Sequence, residues 1–153
     1  MKIMNSFLCL LLCLALFPYH SSAEETGIVN DTDNMVVFED GSFRVTTVTV
    51  LESGLTGDRS TVTGRKTEKF YNSNGVLQFS VYVKGTFTYN GTTATAIDAL
   101  CGYQIYDSSW SFYNGFRSCS GATATATCTF SFSGGGHRTE SASLTCSPSG
   151  VLS

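Results

Sequence analysis

From Ala122 to Phe132 every even-numbered residue is apolar and every odd-numbered one is threonine or serine. Eleven residues of strict alternation fit an extended strand, whose side chains point to opposite faces in turn, and defeat a helix, which would smear the two classes around its axis. One face of this strand belongs to a core and the other carries hydroxyls. A second run has the same period. In Val76–Tyr89 the odd positions Leu77, Phe79, Val81, Val83, Phe87 and Tyr89 are apolar and alternate with polar or smaller residues. At about 3.4 Å per residue that strand is too long for a small sandwich unless it bends. Gly85 in its middle is the expected bulge, where the strand passes from one sheet to the other.

The remaining segments follow the same reading. Phe43–Leu51 is almost entirely β-branched, the composition of a strand, and Gly54–Gly57 reads as a turn. Asn74-Gly75 and Asn90-Gly91 suit two-residue type I′ hairpins. A tight turn at 90–91 would set Tyr89 opposite Thr92 and Phe87 opposite Ala94. Residues 60–72 carry Arg65-Lys66-Thr67-Glu68-Lys69, with neither face apolar, and read as a charged edge strand that discourages aggregation. Ser109–Phe116 follows, then the 122–132 strand, the loop Gly134-Gly135-Gly136, and Ser141–Cys146 with Ala142, Leu144 and Cys146 on one face. Helical periodicity is absent. The sum is an all-β chain forming a single Greek-key, immunoglobulin-like β-sandwich of about 7–8 strands, with a small β-barrel as the alternative.

The beginning of the chain has another character. Lys2 precedes eleven uncharged apolar residues, Phe7–Phe17, followed by Pro18 and the small residues Ser21-Ser22-Ala23. This is the layout of a secretory signal peptide cleaved after Ala23, and eleven residues are about half of what a bilayer-spanning helix needs. Expected domains are therefore a signal peptide at 1–23, an acidic N-terminal arm at 24–41 with a short strand at Met35–Phe38, and a disulfide-stapled β-sandwich at 42–153. The expected product is secreted, without a membrane anchor after cleavage.

Cleavage removes Cys9 and Cys13 and leaves Cys101, Cys119, Cys128 and Cys146, an even number suited to two disulfides in an oxidising compartment. Cys128 and Cys146 fall on inward faces of consecutive strands, which favours Cys128–Cys146 together with Cys101–Cys119. Each bridge closes an 18-residue spacing, for which chain entropy contributes about 3 kcal/mol. The mature chain keeps 8 basic and 12 acidic residues, a net charge of −4 without a basic run, so a nucleic-acid footprint is missing. No C-x-x-C occurs, and with His137 the one histidine left, neither a metal site nor a cofactor is expected.

The string Val83-Lys84-Gly85-Thr86-Phe87-Thr88-Tyr89-Asn90-Gly91-Thr92-Thr93-Ala94, together with Ser120–Thr125 and Leu144–Ser153, resembles small exported β-domain proteins of Gram-positive (clostridial) gut bacteria. The likeness spans residues 60–153. It implies an exported bacterial β-domain of uncharacterised function and carries no catalytic residue with it.

Candidate chemistry is sparse. His137 behind three glycines lacks an identifiable nucleophile and reads as a solvated loop residue. Asp31, Asp33, Glu39 and Asp40 lack the spacing of a calcium loop. Asp98 and Asp107 are the acids of the central apolar region, and Asp107 before two serines suits a turn. The segment Tyr103–Phe116 holds six aromatics in fourteen residues, including the sole tryptophan. Trp110 and Phe112 alternate as core residues do, and Tyr106, Trp110 and Tyr113 are the candidates for an aromatic binding surface. The expected function is an extracellular binding or surface-interaction module without enzymatic activity, its partner a glycan, cell wall or a host or bacterial surface protein. An exported hydrolase using carboxylates and a bacteriocin-like toxin are the alternatives.

Overall fold

A computed structural model describes residues 28–56 and 59–153; the expected signal peptide, and the part of the arm before Ile28, lie outside these residues. Eight strands follow one another: β1 (Ile28–Val37), β2 (Phe43–Thr56), β3 (Arg59–Tyr71), β4 (Leu77–Tyr89), β5 (Ala94–Ile105), β6 (Trp110–Ser120), β7 (Thr123–Phe132) and β8 (His137–Thr145). Every pairing is antiparallel. The first five strands form one sheet in the order β1-β2-β3-β4-β5 and the last three a second, β6-β7-β8. The two sheets face each other as a β-sandwich, not a closed barrel.

The connectivity departs from the Greek key. Each strand pairs with its sequence neighbour, and the chain changes sheet once, through residues 106–109. A Greek key needs a long connection that carries a fourth strand back beside the first. Here short turns fold each strand onto the one before, which yields two meanders. Consequently β4 never leaves its sheet. Gly85 pairs with Gly64 and Ala99 in regular register, and the irregularity lies just beyond it, between Thr86 and Phe87. The close approach explains the glycine: a Cβ there would come within 2.9 Å of Ala124 on the opposite sheet.

The Asn-Gly turns are longer than expected. Tyr89 pairs with Ala94 and Phe87 with Ala96, so Asn90–Thr93 forms a four-residue loop. Asn90 Oδ1 accepts hydrogen bonds from the backbone N–H groups of Thr92 (3.0 Å) and Thr93 (2.8 Å). Asn72 Oδ1 does the same for Asn74 and Val76. Gly75 and Gly91 take positive φ, whereas neither Asn74 nor Asn90 does, and a type I′ turn requires it at both central positions. The expected turn at 54–57 also shifts, because β2 runs on to Thr56. The acidic arm is itself structured: β1 pairs with β2 from Ile28 to Val37, with a bulge between Asn30 and Asn34.

The inner faces interlock large residues with small ones. Phe79, Val81, Val83 and Phe87 of β4 meet Ala124, Ala126, Cys128 and Phe130 of β7 and Ala142 and Leu144 of β8, all buried. Phe79 stacks on Phe130 at 4.2 Å and on Phe70 at 5.1 Å. Side chains of this size contribute about 1.5–3 kcal/mol each on full burial. The outer face of β7 and β8 is a ladder of hydroxyl pairs: Thr123–Thr145, Thr125–Ser143, Thr127–Ser141 and Thr129–Thr139 lie 2.8 to 3.1 Å apart, and Ser131–His137 adds a fifth rung at 3.0 Å.

Strand β3 overturns its expected place at an edge. It is the middle strand of the five-stranded sheet, paired along its whole length with β2 and β4. Two of its charges, Glu68 and Arg65, have partners within the sheet. Glu68, inward-facing and buried, accepts a hydrogen bond from Thr46 Oγ1 (2.6 Å) and sits 3.2 Å from Arg44 Nε. On the outer face the Arg65 guanidinium lies 4.7 Å above the Tyr82 ring. Gly64 gives way to the C-terminal Leu152, with which a Cβ would collide.

No disulfide joins the four cysteines of this domain in the structure, and neither expected pair is brought together. Cys128 pairs across the ladder with Glu140, six residues along β8 from Cys146, or about 20 Å. Cys119 pairs with Ala124, four residues along β7 from Cys128, whose sulfur is the one Cys101 meets, at 3.2 Å. Disulfides need Cα atoms within about 7 Å. Sharing an inward face is therefore not enough; the residues must also sit at one level of the sandwich.

Candidate binding site at one end of the sandwich

The connections 38–42 and 72–76 and the first residues of β6 and β8 meet at the same end of the sandwich. Together they enclose an open cavity of about 200 Å³. Phe70 and Phe79 form its floor, Trp110 one wall and Arg138 another, while Asp40, Ser42, Asn72 and Ser73 supply polar groups at the rim.

Each wall is held in place locally. Trp110 opens β6 opposite Phe132, with its ring edge-on to Phe79 at 5.0 Å. Its indole Nε1 donates to Gln78 Oε1 at 3.0 Å, and Gln78 Nε2 donates in turn to the Val76 carbonyl. Gln78 also accepts the Tyr106 and Asp107 N–H groups at its own backbone carbonyl, which ties the chain crossing to β4. Arg138, the second residue of β8, shares the inward parity of Ala142 and Leu144. Its guanidinium carbon lies 5.4, 5.2 and 5.9 Å from the rings of Phe38, Phe70 and Phe79, and its Nε donates to Glu140 Oε1 at 2.6 Å. Asp40 Oδ1 accepts from the Ser42 hydroxyl (2.6 Å) and backbone N–H (2.9 Å). The Ser42 hydrogen bonds, aided by the positive charge of Arg138, hold the Asp40 carboxyl below the usual carboxylate range. It stays ionised at neutral pH and serves as an acceptor, not as a proton donor.

An apolar floor with a few fixed polar groups is the usual composition of a small-molecule site. Pockets for drug-sized ligands run to roughly 300–1,000 Å³, so this one suits a single ring-sized group.

The three aromatic candidates do not converge. Trp110 lines the cavity. Tyr106, 46 % exposed, donates its hydroxyl to Gln104, which pairs with Ser80 on the outer face of the five-stranded sheet. Tyr113, 62 % exposed, packs its ring 4.8 Å from His137, on the hydroxyl face of the other sheet. The core reading of Trp110 and Phe112 holds in part: Trp110 is half-buried, and Phe112, still 38 % exposed, stacks on Tyr103 at 4.1 Å.

Asp98 and Asp107 lie far apart. Asp98 sits in a shallow depression beside Arg117 and Cys119, seven strand residues (about 24 Å) before the end of β5. Asp107, beyond that end, accepts the Ser109 N–H at 2.8 Å, which lowers its pKa and confirms its role in the turn. Carboxylate pairs that hydrolyse glycosides stand roughly 5–10 Å apart. Arg138 and Gln78 escaped the sequence reading. The signal was a charged pair, Arg138 and Glu140, on the inward phase set by Ala142, Leu144 and Cys146, and it becomes visible once that phase is extended back to Arg138. Comparison with known protein families, with curated proteins and with solved structures finds no match to this chain.

Proposed function

We propose that this protein is a secreted binding module that takes one sugar ring of an extracellular glycan into the end cavity, against Trp110 and between Arg138 and Asp40. The observation that carries the reading is the indole of Trp110, fixed by Gln78 and facing an open cavity beside a guanidinium and a carboxylate. A sugar offers C–H faces to an aromatic ring and vicinal hydroxyls to planar donors and acceptors, and this wall and rim supply both. Export by the 1–23 signal, with cleavage after Ala23, places the module where glycans are found and where its cysteines meet oxidant.

A glycan array followed by calorimetry tests the proposal. Trp110→Ala should weaken binding of any glycan hit at least about tenfold, and Arg138→Gln by a similar factor. Tyr113→Ala, on the opposite sheet's outer face, should leave affinity unchanged. Absence of any glycan hit, or a hit that is lost with Tyr113 and kept without Trp110, would reject the cavity as the site. N-terminal sequencing of the exported product checks the start at Glu24.

A further inference from the structure

The sandwich interior holds two thiols that the end cavity does not use. Cys101 lies on the inner face of β5, opposite Val83, and Cys128 on the inner face of β7. Their sulfurs approach to 3.2 Å across the gap between the sheets. Cys128 is fully buried, while Cys101 is partly exposed at the open β5 edge. Room around Cys128 is kept by Gly115 of β6, where a Cβ would stand 3.3 Å from the sulfur.

We propose that Cys101 and Cys128 are a redox modification site that closes into an inter-sheet disulfide on exchange with a small-molecule disulfide. The Cys101 thiolate attacks one sulfur of that molecule, its S–S bond breaks, and one thiol leaves carrying the proton that Cys101 released. Cys128 then attacks Cys101 Sγ and expels the second thiol, which takes the Cys128 proton. The protein loses two electrons and two protons, and one external disulfide becomes two thiols. The order follows from access and charge. Burial, with Cys101 beside it, pushes the Cys128 thiol up to about 12, so the half-exposed partner starts the exchange. The exported reading enters only as the source of oxidant; the geometry stands without it.

The test uses the full chain, reduced, then incubated with oxidised glutathione, alkylated and digested with trypsin. Cleavage after Lys84, Arg117 and Arg138 leaves Cys101 in fragment 85–117 but Cys119 and Cys128 together in 118–138. The Cys119→Ser variant therefore makes the assignment unique. We expect fragments 85–117 and 118–138 to be joined in that variant, with two thiols lost and Tm raised by about 10 °C, reversed by dithiothreitol. Cys101→Ser should abolish the gain. Fragment 85–117 alkylated at Cys101 in oxidised, folded protein, or joined to 139–153, would overturn the proposal. Should Cys101→Ser not fold, the joined fragment from the Cys119→Ser chain still decides. Glycan binding measured on the same samples separates the two proposals, because the thiol pair lies outside the cavity lining.

Discussion

Strands β3 and β7 occupy equivalent places, each paired on both sides in the middle of its sheet, yet they are written in different codes. Strand β7 has one face of Ala124, Ala126, Cys128 and Phe130, all buried, and another of hydroxyls. Strand β3 turns Val62, Gly64, Lys66, Glu68 and Phe70 inward. The difference lies in what faces them. Strand β7 looks onto the apolar centre of the larger sheet. Strand β3, central in its own sheet, faces the edge strand β8 of the smaller one, at the flank of the sandwich, where β2 brings Arg44 and Thr46 to Glu68 and β8 lays Arg138 over Phe70. A central strand needs its backbone paired and its polar atoms satisfied; an apolar face is only one way to meet the second demand.

Truncating the apolar face should do the most damage. Phe130 is fully buried and contacts the rings of Phe79, Tyr103 and Phe112. Phe130→Ala removes those contacts and leaves a cavity among the rings of Phe79, Tyr103 and Phe112, at a cost of about 3–5 kcal/mol in urea unfolding. On β3 the comparable cut is Glu68→Ala, which strands Arg44 and the Thr46 hydroxyl. Breaking a fully buried pair costs about 3–5 kcal/mol, and the Arg44 side chain, 29 % exposed, recovers part of that from water. We expect about 2 kcal/mol for Glu68→Ala and less for Glu68→Gln, which keeps an acceptor for Thr46. If Glu68→Ala matched Phe130→Ala, the flank would be as critical as the centre and the contrast between the strands would fail.

The same contrast explains what could be read in the sequence. The inward sets of β4, β7 and β8 were legible because apolar burial repeats with the strand period, and Ala142, Leu144 and Cys146 fall where that period puts them. The sandwich followed from counting such strands. The position of β3 did not, because the buried charge of Glu68 is met by Arg44 and Thr46 at the far end of the β2–β3 hairpin, a pairing that strand periodicity does not reveal. The meander order depends on turn geometry, and Asn90 illustrates the problem: its side chain caps a four-residue loop, and the register moves by two without changing which face is buried. The cavity was partly legible. Trp110 stood out by type, but its partners Arg138, on β8, and Asp40, between β1 and β2, meet only when both sheets are assembled.

The hydroxyl ladder offers the finest test of the two codes, because it lies on the strand whose other face is the core. Thr127→Val keeps the β-branched shape and removes one rung, the 2.8 Å bond to Ser141. Ser141 is exposed and can turn its hydroxyl to water, so the loss reduces to the net value of one solvent-accessible hydrogen bond, about 0.5 kcal/mol. Valine's strand preference offsets part of even that. A calorimetric Tm shift of no more than about 2 °C is the expected result. A cost above about 1 kcal/mol would mean that the rungs reinforce one another along the ladder, and the outer face of β7 would then stabilise the sheet cooperatively instead of keeping it soluble.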